Sequence, residues 1–427
     1  MKNVIVILLV FTLSCRTSVE EPKLIPDGTF HMFSRNLDAW LEKSAGNKQI
    51  PSAAVRVIHG DRVVYEKLVN TNPHKTYGIA SITKTFTATA IMQLIQEGKI
   101  HLDDPVTRFF PDFDISTEGI NSKPVTIRNL LNHTSGIPDL RYYKNPDYTE
   151  VKTGRQTFRI PRQIYPAGLH YRYSNHGFIL LGGIVEKVSG LGVEEYYYQN
   201  IFQPLEMKDV ETEILTGASG IKVSIDDFTQ YAIMWLNSGT YKNIQFLRKD
   251  FVNLMYEDAL RSGRLAGLGW RVEDGEMLTF FHIGGADRIA AWIQIFPKMN
   301  VAVVYLADPP EINNSAMYFI ATLQKKLQKF SKVIGDPVLK PVVPLLEEPD
   351  FTFAEGEYEN PATKEIVSIK AEENRLFVKG KESDALYFDS GRTFRSVKDA
   401  LTYEFYPGED GIATSFTNAT GYFVKMR

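Results

Sequence analysis

The chain has 427 residues, with 48 Lys plus Arg against 51 Asp plus Glu, a near balance that gives no footing for nucleic-acid binding. A hydrophobic fraction of 44%, with 26 Phe and 21 Tyr, excludes a disordered chain and suffices for one large domain and a smaller one. The single cysteine excludes an internal disulfide framework.

Residues 1–15 read as a processing segment. Lys2 gives a positive start, and residues 4–13 are an apolar run too short to span a bilayer comfortably, followed by polar residues. Cys15 lies directly after it, in Thr12-Leu13-Ser14-Cys15. The segment resembles a bacterial lipoprotein signal, in which the cysteine becomes the lipidated first residue, although Thr12 stands where Leu is usual. An ordinary cleaved signal peptide and an incidental cysteine are the alternatives. Either export signal puts the protein outside the cytoplasmic membrane.

Residues 16–29 form a polar tether punctuated by Pro22, Pro26 and Gly28. Residues 33–45 show helical spacing, with Leu37, Trp40 and Leu41 on one face. Two β-rich runs, 52–59 and 62–68, flank Gly60-Asp61 and predict a hairpin at one end of a sheet. Gly78-Ile79-Ala80-Ser81-Ile82-Thr83-Lys84 then opens a helix over 83–96, stopped by Gly98. Ser81 falls at the helix start and Lys84 one turn later on the same face. A serine hydroxyl needs a base beside it to attack an acyl group, so this spacing has the form of an activated nucleophile. Short S-x-x-K matches also arise by chance, and the motif gains weight only from partners further on.

Residues 102–110 predict a turn and a short helix closed at Pro111, and residues 126–133 a helix with Thr126 as N-cap. His133 reads as a cap or packing residue, with a second catalytic base as the alternative. Residues 138–161 form a polar loop rich in Tyr and Arg, among them Arg141, Tyr142, Tyr143, Tyr148 and Arg155. The loop is either a wall of the substrate cleft or a set of internal cation–π pairs.

The second cluster is Tyr173-Ser174-Asn175, running into an apolar helix over 178–188. A phenol there can shuttle a proton, and the Asn175 carboxamide can hold both Lys84 and a substrate amide. Residues 217–220 turn back toward the core, and 225–236 predict a helix capped by Ser224, with Asp227 in its first turn. Strands follow at 267–270, 278–281, 289–296 and 300–307, and a helix at 315–330. The third cluster is His282-Ile283-Gly284-Gly285. The backbone N–H groups of Ser81 and Gly285 can form a two-donor oxyanion hole, Gly284 lets substrate approach the strand, and His282 faces the cleft as a positive or hydrogen-bonding group.

Residues 331–350 contain Pro337, Pro341, Pro344 and Pro349 and read as a semi-rigid connector. From 351 to 427 the pattern changes to eight short β-rich segments broken by turns, which suits a small closed or half-closed barrel.

Taken together, the three clusters resemble the penicillin-recognising serine hydrolases, the branch that holds class C β-lactamases, serine D-alanyl-D-alanine carboxypeptidases and related esterases and peptidases. The matching motifs are Ser81-Ile82-Thr83-Lys84, Tyr173-Ser174-Asn175 and His282-Ile283-Gly284, the last with His in place of Lys. Flanks such as Leu130-Leu131-Asn132-His133-Thr134-Ser135-Gly136 and Gly267-Leu268-Gly269-Trp270 agree. The resemblance covers residues 30–330 and implies an α+β fold, an antiparallel sheet flanked by helices plus a mostly helical region. It further implies acylation of Ser81, Lys84 and Tyr173 as coupled base and proton shuttle, Asn175, His282 and Gly284 at the substrate, and no metal or cofactor. The 351–427 region resembles the lipocalin-like module that follows the catalytic domain in some members.

Ile283 replaces the usual hydroxyl residue, and His282 is less reliably charged than lysine. A peptidase or esterase is therefore expected in preference to a true β-lactamase. The expected substrate is a small peptide, a cell-wall-derived peptide or an ester. The alternative is a surface lipoprotein that binds peptidoglycan or peptide without turnover, a role that needs no base beside a serine.

Overall fold

The computed structural model describes residues 51–116, 122–139, 148–309 and 354–426, apart from short stretches inside those ranges, together with Asp38, Leu41 and Glu42. Cys15 and its signal, the tether, the expected 315–330 helix and the 331–350 connector lie outside the described residues.

β1 (Ala53–His59) and β2 (Arg62–Val69) form the hairpin expected around Gly60-Asp61. β3 (Tyr77–Gly78) leads through a 3-10 turn, Ala80–Ile82, into α1 (Thr83–Gln96). α2 (Ile127–Leu131) starts with a capping box between Thr126 and Asn129. β4 (Tyr148–Thr153) and β5 (Gln156–Pro161) make a hairpin where the sequence suggested an irregular loop. α3 (Asn175–Ser189) is capped by Ser174 and stopped by Gly190 at φ 77°. α4 (Val193–Tyr197), β6 (Val210–Thr216), β7 (Ser219–Val223) and α5 (Ile225–Leu236) follow. The short β8 (Thr240–Tyr241) and β9 (Ile244–Gln245) precede α6 (Lys249–Ser262). β10 (Arg271–Asp274), β11 (Leu278–Ala286), β12 (Ile289–Phe296) and β13 (Val301–Ala307) complete the sheet.

The sheet is antiparallel, in the order β10-β11-β12-β13-β1-β2. Alternate residues point to opposite faces. Ala54, Ile58, Ile293, Ile295, Val304 and Leu306 enter the larger core with α1, α3 and α5, whereas Val55, Val57, Phe281, Trp292 and Tyr305 pack with Leu41 on the other face. Burial on both faces accounts for the unbroken apolar run Val301–Ala307.

α1 is buried around nearly its whole circumference, so its threonines must find partners within the protein. Thr87 bonds the Thr83 carbonyl and the Tyr197 hydroxyl, the latter at 2.6 Å, and Tyr231 donates to Thr85 at 3.0 Å. The nucleophile motif is thus carried on a helix that cannot shift without breaking core polar contacts.

In the C-terminal region, β14 (Gly356–Glu359), β15 (Ile366–Glu372), β16 (Arg375–Lys379), β17 (Asp384–Ser390), β18 (Thr393–Ser396), β19 (Thr402–Pro407), β20 (Ala413–Asn418) and β21 (Gly421–Lys425) each pair antiparallel with the next. The first and last meet through two residue pairs only, Tyr358↔Lys425 and Glu359↔Val424. The lipocalin-like description expected for this region is corrected. Tyr358, Phe405, Phe416 and Phe423 pack together inside, with ring centroids 4.7–6.2 Å apart, so aromatic side chains occupy the space a ligand cup would need. The fold is accordingly an α+β domain followed by an eight-stranded antiparallel unit with an aromatic core. The Tyr422 ring lies 5.8 Å from that of Tyr165, a fully buried residue of the first domain.

Candidate active site

Ser81 sits in the 3-10 turn before α1, directly after Ala80, whose φ of 41° is rare for a residue with a Cβ. The Tyr173 hydroxyl is 2.8 Å from Ser81 Oγ, and Lys84 Nζ is 3.2 Å from the same atom. Lys84 is fully buried, with its ammonium donating to Asn175 Oδ1 at 2.7 Å and to the Ala218 carbonyl at 2.9 Å. It also lies 5.0 Å from the centroid of the Tyr173 ring. The first two sequence clusters, 92 residues apart, therefore meet on one hydroxyl.

The surrounding residues hold these groups in place. Ser174 caps α3 by accepting the Gly177 N–H, which sets Tyr173 just before the helix and Asn175 at its first position. His133, in the left-handed region at φ 57°, packs its ring, tilted, 4.6 Å from that of Tyr173 and accepts the Ser174 N–H at Nδ1. It is buried, and burial together with the nearby positive charge of Lys84 holds it neutral. His133 thus packs against the phenol.

His282 does not stand in the cleft as a charged group. It is buried beneath the site, and burial, followed by the charges of Lys84 and Arg271, lowers its pKa to about 3. Its Nδ1 lies 2.9 Å from the Ile283 carbonyl, which can only accept, so Nδ1 carries the proton and Nε2 is left as an acceptor. An exposed cation of this region is Arg271, at the start of β10 opposite Phe281 and without an ion pair among the described residues.

Gly284 makes a close backbone approach. A Cβ there would lie 2.1 Å from the Ile79 carbonyl oxygen, so the missing side chain lets β11 press against the segment entering Ser81. At Gly285 a Cβ would meet nothing within 4 Å. β10 pairs with β11 only as far as Phe281, which leaves the outer edge of residues 282–286 without a strand partner among the described residues.

Sequence reasoning missed Asp139, whose buried carboxylate accepts a hydrogen bond from Asn175 Nδ2. The expected cleft wall over 138–161 is only partly described. Its β4–β5 hairpin instead lines a separate cavity of about 830 Å³, with α3 and the β6–β7 turn, and Arg159 lies 4.5 Å over the Tyr148 ring.

An antiparallel sheet flanked by helices, with a serine at the head of a buried helix and an amine and a phenol on its hydroxyl, defines the β-lactamase and transpeptidase-like architecture. The chain belongs to the Beta-lactamase family, whose model matches residues 37–315. It is similar to Protein flp of Staphylococcus aureus (strain MW2), 26% identical over 322 residues, covering 64% of this chain and 63% of that protein. It is also 23% identical to a putative D-alanyl-D-alanine carboxypeptidase of Escherichia coli (strain K12), covering 73% and 91% of the two chains. Among solved structures, SurE superimposes with a TM-score of 0.62 at 17% identity, covering 93% of this chain and all of that one. An octameric penicillin-binding protein homologue from Pyrococcus abyssi gives 0.54 at 21%, covering 92% and 100%. At these identities the structural likeness is one of fold.

Proposed function

We propose that the protein is a serine hydrolase that opens an amide or ester bond through an acyl-enzyme on Ser81. The observation that carries this is the convergence of the Tyr173 hydroxyl and the Lys84 amine on Ser81 Oγ, at 2.8 and 3.2 Å. As Oγ forms a bond to the substrate carbonyl carbon, its proton passes to the Lys84–Tyr173 pair. The N–H groups of Ser81 and Gly285 receive the developing oxyanion. The pair then returns the proton to the leaving nitrogen or oxygen as its bond to carbon breaks. A water, deprotonated by the same pair, releases the acyl group and restores Ser81 Oγ–H.

The substrate class follows from the rim. His282 is neutral and buried, so a substrate carboxylate finds its counter-charge at Arg271. The free edge of residues 282–286 suits an extended peptide. Both features favour a peptide or acyl donor with a free carboxylate, in line with the name of the Escherichia coli relative. The chain acts outside the cytoplasmic membrane, held there by lipid on Cys15. Incubation with a fluorophosphonate followed by intact-mass measurement tests the hydrolase: one adduct on Ser81 is expected, and none under varied conditions overturns it. A peptide panel with free and amidated C-termini tests the rim, with Arg271→Ala expected to erase the preference for the free acid. Radiolabelled fatty acid should appear on the wild type and not on Cys15→Ala.

A further inference from the structure

Asn175 touches a pure donor and a pure acceptor at once. Its Oδ1 faces the Lys84 ammonium at 2.7 Å, and its Nδ2 donates to the Asp139 carboxylate. With both partners charged, only one orientation of the carboxamide satisfies them. The situation changes when Lys84 gives up its proton to serve as base. The neutral amine has a lone pair, and a carboxamide free to turn would offer it an N–H, occupying the electrons needed for the Ser81 proton. A carboxylate that keeps hold of Nδ2 prevents that turn.

We propose that Asp139 is a positioning residue for the hydrolase, locking the Asn175 carboxamide so that the neutral Lys84 amine stays directed at Ser81 and Tyr173. The inference rests on the serine-hydrolase reading above. Asp139 suits the task because its own segment is fastened. Gly136, at φ 77°, lies so close to Tyr165 that a Cβ there would be 2.2 Å from the Tyr165 carbonyl oxygen. Gln163 Nε2 donates to the Ser135 carbonyl at 2.7 Å, and the Ile164 N–H to the Gly136 carbonyl at 3.0 Å. The carboxylate is 3% exposed, so its charge acts on the site with little screening by water.

Among the described residues, the charged and titratable groups around Lys84 include Ser81 and Tyr173 in direct contact, Asp139 through Asn175, neutral His133 and His282, and Arg271 beyond them. Asp139 is the carboxylic acid among these described groups. Its removal makes the ammonium easier to deprotonate and moves the acid limb of the rate profile to lower pH. The test measures kcat, KM and the rate of Ser81 acylation against pH, with thermal unfolding as a control on folding. Asp139→Ala frees the carboxamide and should lower kcat and the acylation rate by about 10–100-fold, with KM changed far less. Asp139→Asn keeps an acceptor of the same size. It should restore most of the plateau rate, while its acid limb moves down by about one pH unit. Should Asp139→Ala fail to fold, the isosteric variant carries the test through its acid limb. Folded variants with the wild-type rate and limb overturn the positioning role and leave the hydrolase standing. A wild type with no Ser81 adduct overturns both.

Discussion

Replacing Gly284 by alanine isolates the contact between β11 and the segment that delivers Ser81. The added Cβ would lie 2.1 Å from the Ile79 carbonyl oxygen, a backbone atom that cannot rotate away. Bringing that pair to ordinary contact requires the strand and the Ile79–Ser81 segment to part by about 1 Å. Overpacking of this kind costs about 1–3 kcal/mol, or roughly 2–5 °C in the melting temperature of a domain this size. The same movement pulls Gly285 away from Ser81 and opens the proposed oxyanion hole, and a misplacement of about 1 Å lowers the rate about 100-fold. Thermal unfolding and the rate of Ser81 labelling, measured on Gly284→Ala and Gly285→Ala together, give the readout. Gly285→Ala should melt like the wild type, because its Cβ meets nothing within 4 Å. A Gly284→Ala protein with wild-type melting and wild-type labelling would refute the packing argument.

Three further outcomes follow from the site and its core. Ser81→Ala should abolish turnover and melt within about 0.5 kcal/mol of the wild type, as checked by activity and calorimetry. Thr87→Val strips partners from the Tyr197 hydroxyl and the Gly217 carbonyl, and should cost about 1–3 kcal/mol in denaturant unfolding. His133 and His282 are held neutral in the folded chain, their pKa values lowered by burial and then by Lys84. Below about pH 6.5 the unfolded chain therefore binds protons that the folded one refuses, and stability falls as pH drops toward 3, by up to about 1.4 kcal/mol per pH unit for each histidine. Melting curves from pH 7 to 5 should show this fall, and His282→Asn should make it shallower.

How far the sequence discloses this protein depends on how local each feature is. Ser81 and Lys84 are legible because one helical turn brings them together, and Tyr173 and Asn175 because a helix cap lies between them. The hairpin around Gly60-Asp61 and the Ser224-capped helix are set by turn and capping chemistry written in a few adjacent residues. Asp139 escapes such reading: nothing near it in sequence shows that its carboxylate meets Asn175 across 36 residues. His282 looks exposed and chargeable in isolation, and only the packed sheet beneath Lys84 makes it neutral. The β4–β5 hairpin was hidden because its polar, Tyr- and Arg-bearing residues resemble a loop until they pair and pack on α3. α6 carries its apolar residues Val252, Met255 and Ala259 at helical spacing, and buries them against the domain. The resemblance to a lipocalin-like module rests on strand count, which says nothing of whether the interior of such a unit is empty or filled.

Catalysis centres on the shared hydroxyl of Ser81, and rapid-mixing fluorophosphonate labelling with peptide mapping examines it most directly. A single adduct on Ser81 is predicted, formed about 100-fold or more slowly in Lys84→Met and in Tyr173→Phe. An adduct on another residue, or labelling of Ser81 that neither substitution slows, would contradict it.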